Sequence, residues 1–176
     1  TSGTVSNNFN VLSVAPGSTY TLGNIAGGVF EYTGTSSLAS NGTLVTGTNS
    51  AIYLNGSNIT AASGATNVAA VALDGQYAGV LPAGMTPGTD AENNGVIILG
   101  DSSVGLYGKN GSRLSNKNSI TAGNASAGLM TSGAGSFVLN DGTITVGTGS
   151  QGMYLKDGTL AHNMSSGNII STGTGT

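Results

Sequence analysis

The amino-acid sequence predicts an all-β protein, a parallel β-helix (β-solenoid) with about 23–25 residues in each three-stranded turn. Three observations carry this prediction. One thirteen-residue phrase recurs without gaps, Gly-containing breakers separate short apolar pieces at fixed offsets, and Gly, Ser, Thr and Asn supply 93 of the 176 residues. Charged residues make up only 6% of the chain, against about 25% in ordinary globular domains.

The repeated phrase occurs at 95–107, 118–130 and 142–154 as G/N-x-I-x-ϕ-G-x-x-S-x-G-ϕ-Y/M, where ϕ is apolar. Its isoleucines recur with a step of roughly 23–25 residues, and a fourth copy begins one step later at Ile169. A fixed period of this length, shared by several positions at once, indicates a stacked repeat architecture. We also assign a degenerate copy to 42–53, where Gly, Ser and Tyr occur in the same order.

Each repeat contains three short strand-like pieces. The first alternates apolar and polar residues, as in Ile144-Thr145-Val146, and the second follows a Gly, as in 152–155. A third apolar piece, such as Phe137-Val138-Leu139, completes the repeat. Asn-Gly and Asp-Gly pairs between the pieces favour turns with positive φ. These features predict a solenoid whose turns stack about 4.8 Å apart.

In a solenoid each residue lies above its equivalent in the previous turn, so like residues stack on like. Small polar side chains suit this geometry, because stacked charges of one sign repel each other. The low charge is therefore an expected consequence of the fold. The predicted columns are an aliphatic one of Ile97, Ile120, Ile144 and Ile169, a second of Leu106, Leu129 and Met153, and an Asn ladder of Asn116, Asn140 and Asn163.

The chain is predicted to be one β-helix segment over 1–176, with irregular turns at 1–41 and regular repeats at 95–176. Because the sequence starts at Thr1 without an initiator Met and stops within the pattern, we expect it to be a fragment of a longer protein.

A lateral loop is predicted at about 77–93. The segment between Ile59 and Ile97 exceeds one turn by roughly 15 residues, and the excess contains two prolines that a central strand does not accommodate. Long loops in compact folds often carry function.

Charge and composition exclude several classes of protein. A net charge of −3 with four basic residues does not supply the positive stripe that nucleic-acid binding requires. No run of 18 apolar residues occurs, so no membrane insertion of this segment is expected. The absence of Cys excludes disulfides and thiolate metal sites.

The phrase, clearest at 142–158, resembles the passenger repeats of large type V autotransporter adhesins, in particular the long surface adhesins of fusobacterial type. The resemblance covers 42–60 and 95–176. It implies a right-handed β-helix shaft that is secreted through a C-terminal β-barrel and displayed outside the outer membrane of a Gram-negative bacterium. It also implies a role in cell adhesion and virulence, with a host or bacterial surface protein or glycan as partner.

The residues favour a non-catalytic protein without metal or cofactor. Three of the seven carboxylates (Asp74, Asp141, Asp157) precede Gly and suit turns, so few remain for acid–base chemistry. His162 is the sole His. The recurring serines have the periodicity of structural turn residues, unlike a nucleophile; they are Ser103, Ser126 and Ser150.

The candidate binding residues fall into two groups. Tyr77, Asp90 and Glu92 belong to the predicted loop, where the two carboxylates with Asp101 also offer an alternative as Ca²⁺ ligands. Lys109 and Lys156 are separated by two turns, and could offer a positive edge to an anionic glycan or another surface.

Three other functions remain open at this point. A solenoid with open ends could self-associate into filaments, because its terminal strand edges are unpaired. Thr143-Ile144-Thr145 prompts an ice-binding face, although neighbouring copies lack a matching Thr pair. A polysaccharide lyase is the fourth possibility, since some β-helix proteins are such enzymes.

Overall fold

The computed structural model describes residues 24–175, which form strands joined by turns. The strand-like pieces predicted at 11–14 and 20–22 lie outside the described residues. No helix among the described residues has the length and apolar character of a membrane span. The strands are β1 (Asn24–Ala26), β2 (Val29–Tyr32), β3 (Thr35–Leu38), β4 (Thr43–Thr48), β5 (Ala51–Ala61), β6 (Ala69–Asp74), β7 (Ala91–Ile98), β8 (Val104–Lys109), β9 (Arg113–Asn116), β10 (Ser119–Ala122), β11 (Ala127–Ser132), β12 (Phe137–Asn140), β13 (Thr143–Val146), β14 (Gln151–Lys156), β15 (Leu160–Asn163) and β16 (Asn168–Ser171).

The predicted parallel β-helix is confirmed. One sheet takes a strand from each of six successive coils in the order β1-β4-β6-β8-β11-β14, and every pairing between these strands is parallel. A regular coil contributes three strands, for example β10, β11 and β12. In the regular coils the other two strands belong to a second, larger parallel sheet.

The larger sheet forms two walls of the shaft, and in the middle coils a single strand runs from one wall into the other. β7 pairs with β9 through Ala91–Asn93 and with β10 through 96–98, so it spans the corner that separates these strands in later coils. β5 spans the same corner in the preceding coil, and its pairing with β7 shifts register between Asn55 and Asn58.

The inner core includes the two predicted aliphatic columns. Ile97, Ile120, Ile144 and Ile169 are in register, and the column extends back to Ile59. The second predicted column continues from Leu106 back to Val71 and Val45. The members of the first column from Ile59 to Ile144, and those of the second column from Val45 to Leu129, are fully buried. Stacking of like on like therefore produces one continuous apolar core along the shaft.

The predicted Asn ladder is present and one coil longer than expected. Asn93 Nδ2 donates to Asn116 Oδ1 (2.8 Å), Asn116 Nδ2 to Asn140 Oδ1 (2.9 Å), and Asn140 Nδ2 to Asn163 Oδ1 (2.7 Å). The first three side chains are fully buried. Each amide is satisfied by its neighbours, which removes the cost of burying it.

The assignment of a degenerate repeat copy to 42–53 is wrong in its register. β4 pairs with β6, which pairs with β8, so Thr43 aligns with Val104, in the second strand of the repeat. The residue in register with Ile97 is Ile59. The marker of the first strand is missing in β5, because Ser57 stands two residues before Ile59, where the repeat phrase has Gly or Asn.

Two of the predicted Gly turns illustrate different uses of Gly. At Asp157-Gly158 both residues have positive φ (60° and 77°), as Asp-Gly turns favour. Gly142 is not in this conformation; a Cβ there would lie 2.1 Å from the Asn118 carbonyl oxygen, so Gly is needed because two coils approach closely.

The predicted lateral loop at 77–93 corresponds to residues 75–90, between β6 and β7. Residues 91–93 belong to β7, because they pair with both β5 and β9. Within the predicted irregular turns at 1–41, residues 24–41 contain β1, β2 and β3, each in parallel register with the next coil.

Candidate functional site

The lateral loop at 75–90, which we call the strap, packs on the outside of the solenoid wall. Two tight turns give it shape: Met85 N–H donates to Pro82 O (3.2 Å) and Thr89 N–H to Thr86 O (3.2 Å). In the second turn Pro87 precedes Gly88, whose φ is 82°. Pro followed by a residue with positive φ is the signature of a type II turn.

A second apolar cluster fixes the strap to the wall. Met85 is buried against Ala51 and Tyr53 of β5, and Leu81 and Tyr77 pack at its edge. These contacts lie on the outer side of β5, whose inward residues belong to the main core. The strap therefore has a small core of its own, and this burial is favourable by the same hydrophobic term as the main core.

A buried ion pair ties both ends of the strap to the next coil. Arg113 donates from Nε to Asp90 Oδ2 (3.1 Å) and from Nη2 to Asp90 Oδ1 (2.9 Å), the bidentate geometry of a strong charge-assisted pair. Asp90 is fully buried and also accepts the backbone N–H groups of Tyr77 (2.9 Å) and Arg113 (2.8 Å). The Gln76 side-chain oxygen, in the orientation that satisfies both groups, accepts from the same guanidinium at 2.9–3.2 Å.

Glu92 also lies beneath the strap and is fully buried. Its Oε2 accepts the Thr86 backbone N–H (3.0 Å). A ligand on the outer surface therefore contacts neither Asp90 nor Glu92 while the strap is closed. Of the three loop residues that the sequence suggested for binding, Tyr77 alone is partly exposed.

The outer tip of the strap presents an exposed apolar residue beside a groove. Val80 is 87% exposed. The groove, of about 380 Å³, is lined by Val80, Leu81 and Pro82 of the strap and by Val29 and Glu31 of β2. Glu31 Oε1 accepts from Asn55 Nδ2 (2.7 Å), which holds this carboxylate at the groove. An apolar rim with one carboxylate suits an apolar or cationic group of a partner.

The two candidate lysines lie on the other sheet. Lys109 and Lys156 occupy one column, two coils apart, with Ser132 between them. Lys109 Nζ is 2.9 Å from Asp74 Oδ2, and Lys156 Nζ is 3.8 Å from Asp157 Oδ2. Both lysines thus have a carboxylate beside them, which weakens the column as a positive edge.

The Asp74–Lys109 pair perturbs both groups. The side-chain hydrogen bond from Lys109 holds the pKa of Asp74 below its ordinary value, and the hydrogen bond to Asp74 raises the pKa of Lys109. The stabilisation from Asp74 is present above the ordinary carboxyl range and is lost as the pH falls through its lowered pKa. Because both side chains are largely exposed, solvent screens the pair.

The remaining candidates are dispersed or structural. Asp101 accepts from Asn124 N–H (2.7 Å) at a corner and takes no part in the strap contacts. The recurring serines form a turn ladder in which Ser103 N–H donates to Ser126 Oγ and Ser126 N–H to Ser150 Oγ. No group of three or more His, Cys, Asp or Glu residues suited to a metal occurs in 24–175.

The column of residues that contains Thr121 and Thr145 continues as Ile98 in the coil before and as Ile170 in the coil after. It therefore does not form the continuous Thr row that the ice-binding alternative requires.

Sequence reasoning missed Arg113 and Ser115 as partners of the loop. Arg113 lies one coil after Asp90, and Ser115 lies one coil after Glu92, its direct partner in register. Applying the repeat period to the loop residues would have found both.

Comparison with protein-family models, with curated proteins and with solved structures finds no match to this chain.

Proposed function

We propose that this chain is a non-catalytic shaft segment of a bacterial cell-surface autotransporter adhesin, and that its strap presents a binding surface to a host or bacterial surface protein or glycan. The observation that carries the proposal is that the columns keep one register from Ile59 to Ile169, while a single anchored strap lies on one side of the shaft. A continuous core makes a stiff spacer, since each coil is fixed by its neighbours. The repeat phrase at 142–158 supports the cell-surface assignment through its resemblance to adhesin passengers.

The chemistry of the serines and carboxylates supports a non-catalytic role. The recurring serine hydroxyls bind backbone groups of adjacent coils, and Asp90 is neutralised by Arg113. Groups committed to such contacts are not available as nucleophile or general base without disrupting the coil.

Adhesion through the strap is tested with the Val80→Asp variant. We expect beads coated with the chain to adhere to host cells, and the substitution to weaken adhesion about tenfold, because an exposed apolar contact is replaced by a charge that must be desolvated. Thermal unfolding is expected to change little, since Val80 is 87% exposed.

The matched control is Ile98→Asp, an exposed apolar residue on β7 and outside the strap. Equal adhesion of the Val80→Asp variant and the unmodified chain would exclude the strap tip as the binding surface. Antibody against the segment should stain intact cells of the source organism; staining that requires permeabilisation would overturn the surface assignment.

A second candidate function is self-association of this segment, favoured by the exposure of the last coil that the structure describes. β14 and β15 are terminal strands of their sheets, and the inward residues Leu155 and Ile169 are 37% and 40% exposed. Ile144, in register with Ile169, is fully buried. A second copy of this chain offers strand edges of the same spacing and an equally apolar surface, so the two end coils can cover each other.

For self-association, we expect the mass measured by light scattering to rise with protein concentration, and Ile169→Lys to return the chain to a monomer. The control is Ile98→Lys, the same change at a similarly exposed residue on the side of the shaft (47%). A constant monomer mass over the whole concentration range would exclude this candidate.

A further inference from the structure

Six side-chain oxygens among the described residues are buried without a hydrogen-bond partner, and three of them belong to the strap or to the wall that it covers: Thr86 Oγ1, Glu92 Oε1 and Ser115 Oγ. Such groups are rare in native proteins, and each calls for a physical explanation. Their clustering at the strap is more informative than any one of them.

The register and the strap contacts place these three residues next to one another. Glu92 and Ser115 are direct partners across β7 and β9, so their side chains stack on the same outer face about 4.8 Å apart. Both residues are fully buried. Thr86 lies above them in the strap, where its N–H binds Glu92 Oε2 at 3.0 Å.

The charge of Glu92 is not balanced by a side chain. In the described part of the chain the ion pairs are Lys109–Asp74, Arg113–Asp90 and Lys156–Asp157, so the guanidinium at the strap is already engaged by Asp90. A buried carboxylate without a counter-charge is costly. A water molecule would satisfy the three oxygens but would leave this charge in place.

We propose that a hard metal cation binds beneath the strap, held by Glu92 Oε1 with the hydroxyls of Thr86 and Ser115. Carboxylate and hydroxyl oxygens are the ligands that such cations prefer. One carboxylate among the three ligands predicts weak binding, with a Kd of about 10⁻⁴–10⁻³ M for Ca²⁺, because affinity falls with the number of charged ligands. The cation links the strap to two coils and holds it closed. This inference concerns the strap's anchoring and is independent of the proposed adhesion.

The test measures thermal and denaturant unfolding of the whole chain in NaCl, KCl, MgCl₂ or CaCl₂, each at an ionic strength held constant with choline chloride. We expect saturable stabilisation by at least one of these metals, with the unfolding equilibrium constant about elevenfold lower at ten times its Kd. The separate salts distinguish a monovalent from a divalent ion.

Glu92→Gln keeps the shape of the side chain and removes its charge. This variant should unfold at a higher temperature than the unmodified chain in choline chloride and should lose the response to metal. Ser115→Ala removes one ligand without altering the charge, and should raise the metal concentration needed for half-maximal stabilisation severalfold. The latter variant keeps the test decisive if Glu92→Gln does not fold.

The matched control is Glu31→Gln, which alters a carboxylate of the same column, separated from Glu92 by Tyr53. It should retain the full metal response. Equal stabilisation of the unmodified chain, Glu92→Gln and Ser115→Ala would show a general salt effect and overturn the proposal. Unchanged stability of the unmodified chain in all four salts would also overturn it.

Discussion

Replacement of Arg113 by Met is expected to lower the free energy of unfolding by about 3–5 kcal/mol, because it leaves the Asp90 carboxylate buried without its counter-charge. Asp90 is fully buried and Arg113 supplies both of its side-chain charge contacts. Met keeps much of the apolar stem of Arg, so the loss reflects the charge more than the packing.

Release of the strap sets an upper limit on this loss of stability. If the strap detaches from the wall, the Asp90 carboxylate becomes hydrated. The destabilisation therefore cannot exceed the free energy needed to release the strap. We therefore expect part of the effect as local opening, seen as faster chymotrypsin cleavage after Tyr77 at denaturant concentrations where the coils remain folded.

A double variant tests whether the loss in Arg113→Met comes from the unpaired charge of Asp90. Asp90→Asn combined with Arg113→Met removes both charges, and should recover much of the stability lost in Arg113→Met alone. No recovery would show that the guanidinium acts through its contacts with Tyr77 and Gln76 instead of through Asp90.

Lys109→Met is the control for an ion pair of similar distance but different burial. Lys109 and Asp74 are 2.9 Å apart, yet their side chains are 43% and 39% exposed. The expected change in unfolding free energy is much smaller than that of Arg113→Met, because solvent screens this exposed pair. A loss as large as that of Arg113→Met would contradict the role assigned to burial.

The regular half of the fold could be predicted because the same stacking contacts recur in each of its coils. Ile over Ile, Asn over Asn and Ser over Ser each satisfy the same contacts in every coil, so the sequence carries the period directly. Asn93 escaped the prediction because the loop predicted at 77–93 included it, although it lies an ordinary step of 23 residues before Asn116.

The strap's packing could not be predicted because its contacts are made once. Met85 and Leu81 follow no period, and their partner Tyr53 lies in β5, where the first-strand marker is missing. The bend of β5 at Asn55 and Asn58 likewise shifted the repeat assigned to 42–53. The sequence did contain the one-coil distance from Asp90 to Arg113. This distance identifies the ion pair once the loop is known to rejoin the solenoid at β7, beside β9.

Ile120→Ala is expected to cost about 2–5 kcal/mol in unfolding free energy, the range for removing a buried aliphatic side chain that leaves a cavity. Ile120 is fully buried, with Ile97 and Ile144 in register on either side. The flanking coils can collapse little into the space, because their backbones are fixed by parallel hydrogen bonds on both sides.

Ile169→Ala, the same substitution in the same column, is expected to cost less than half as much, because Ile169 is 40% exposed and has one stacked neighbour, Ile144. Denaturant unfolding of both variants at low protein concentration measures the difference. Since coil stability in a solenoid depends on nearest neighbours, the Ile120 variant should also unfold with reduced cooperativity between the halves of the shaft. Equal losses at the two positions would mean that Ile169 is covered in solution; if the equality appears only as protein concentration rises, the cover is a second copy of the chain.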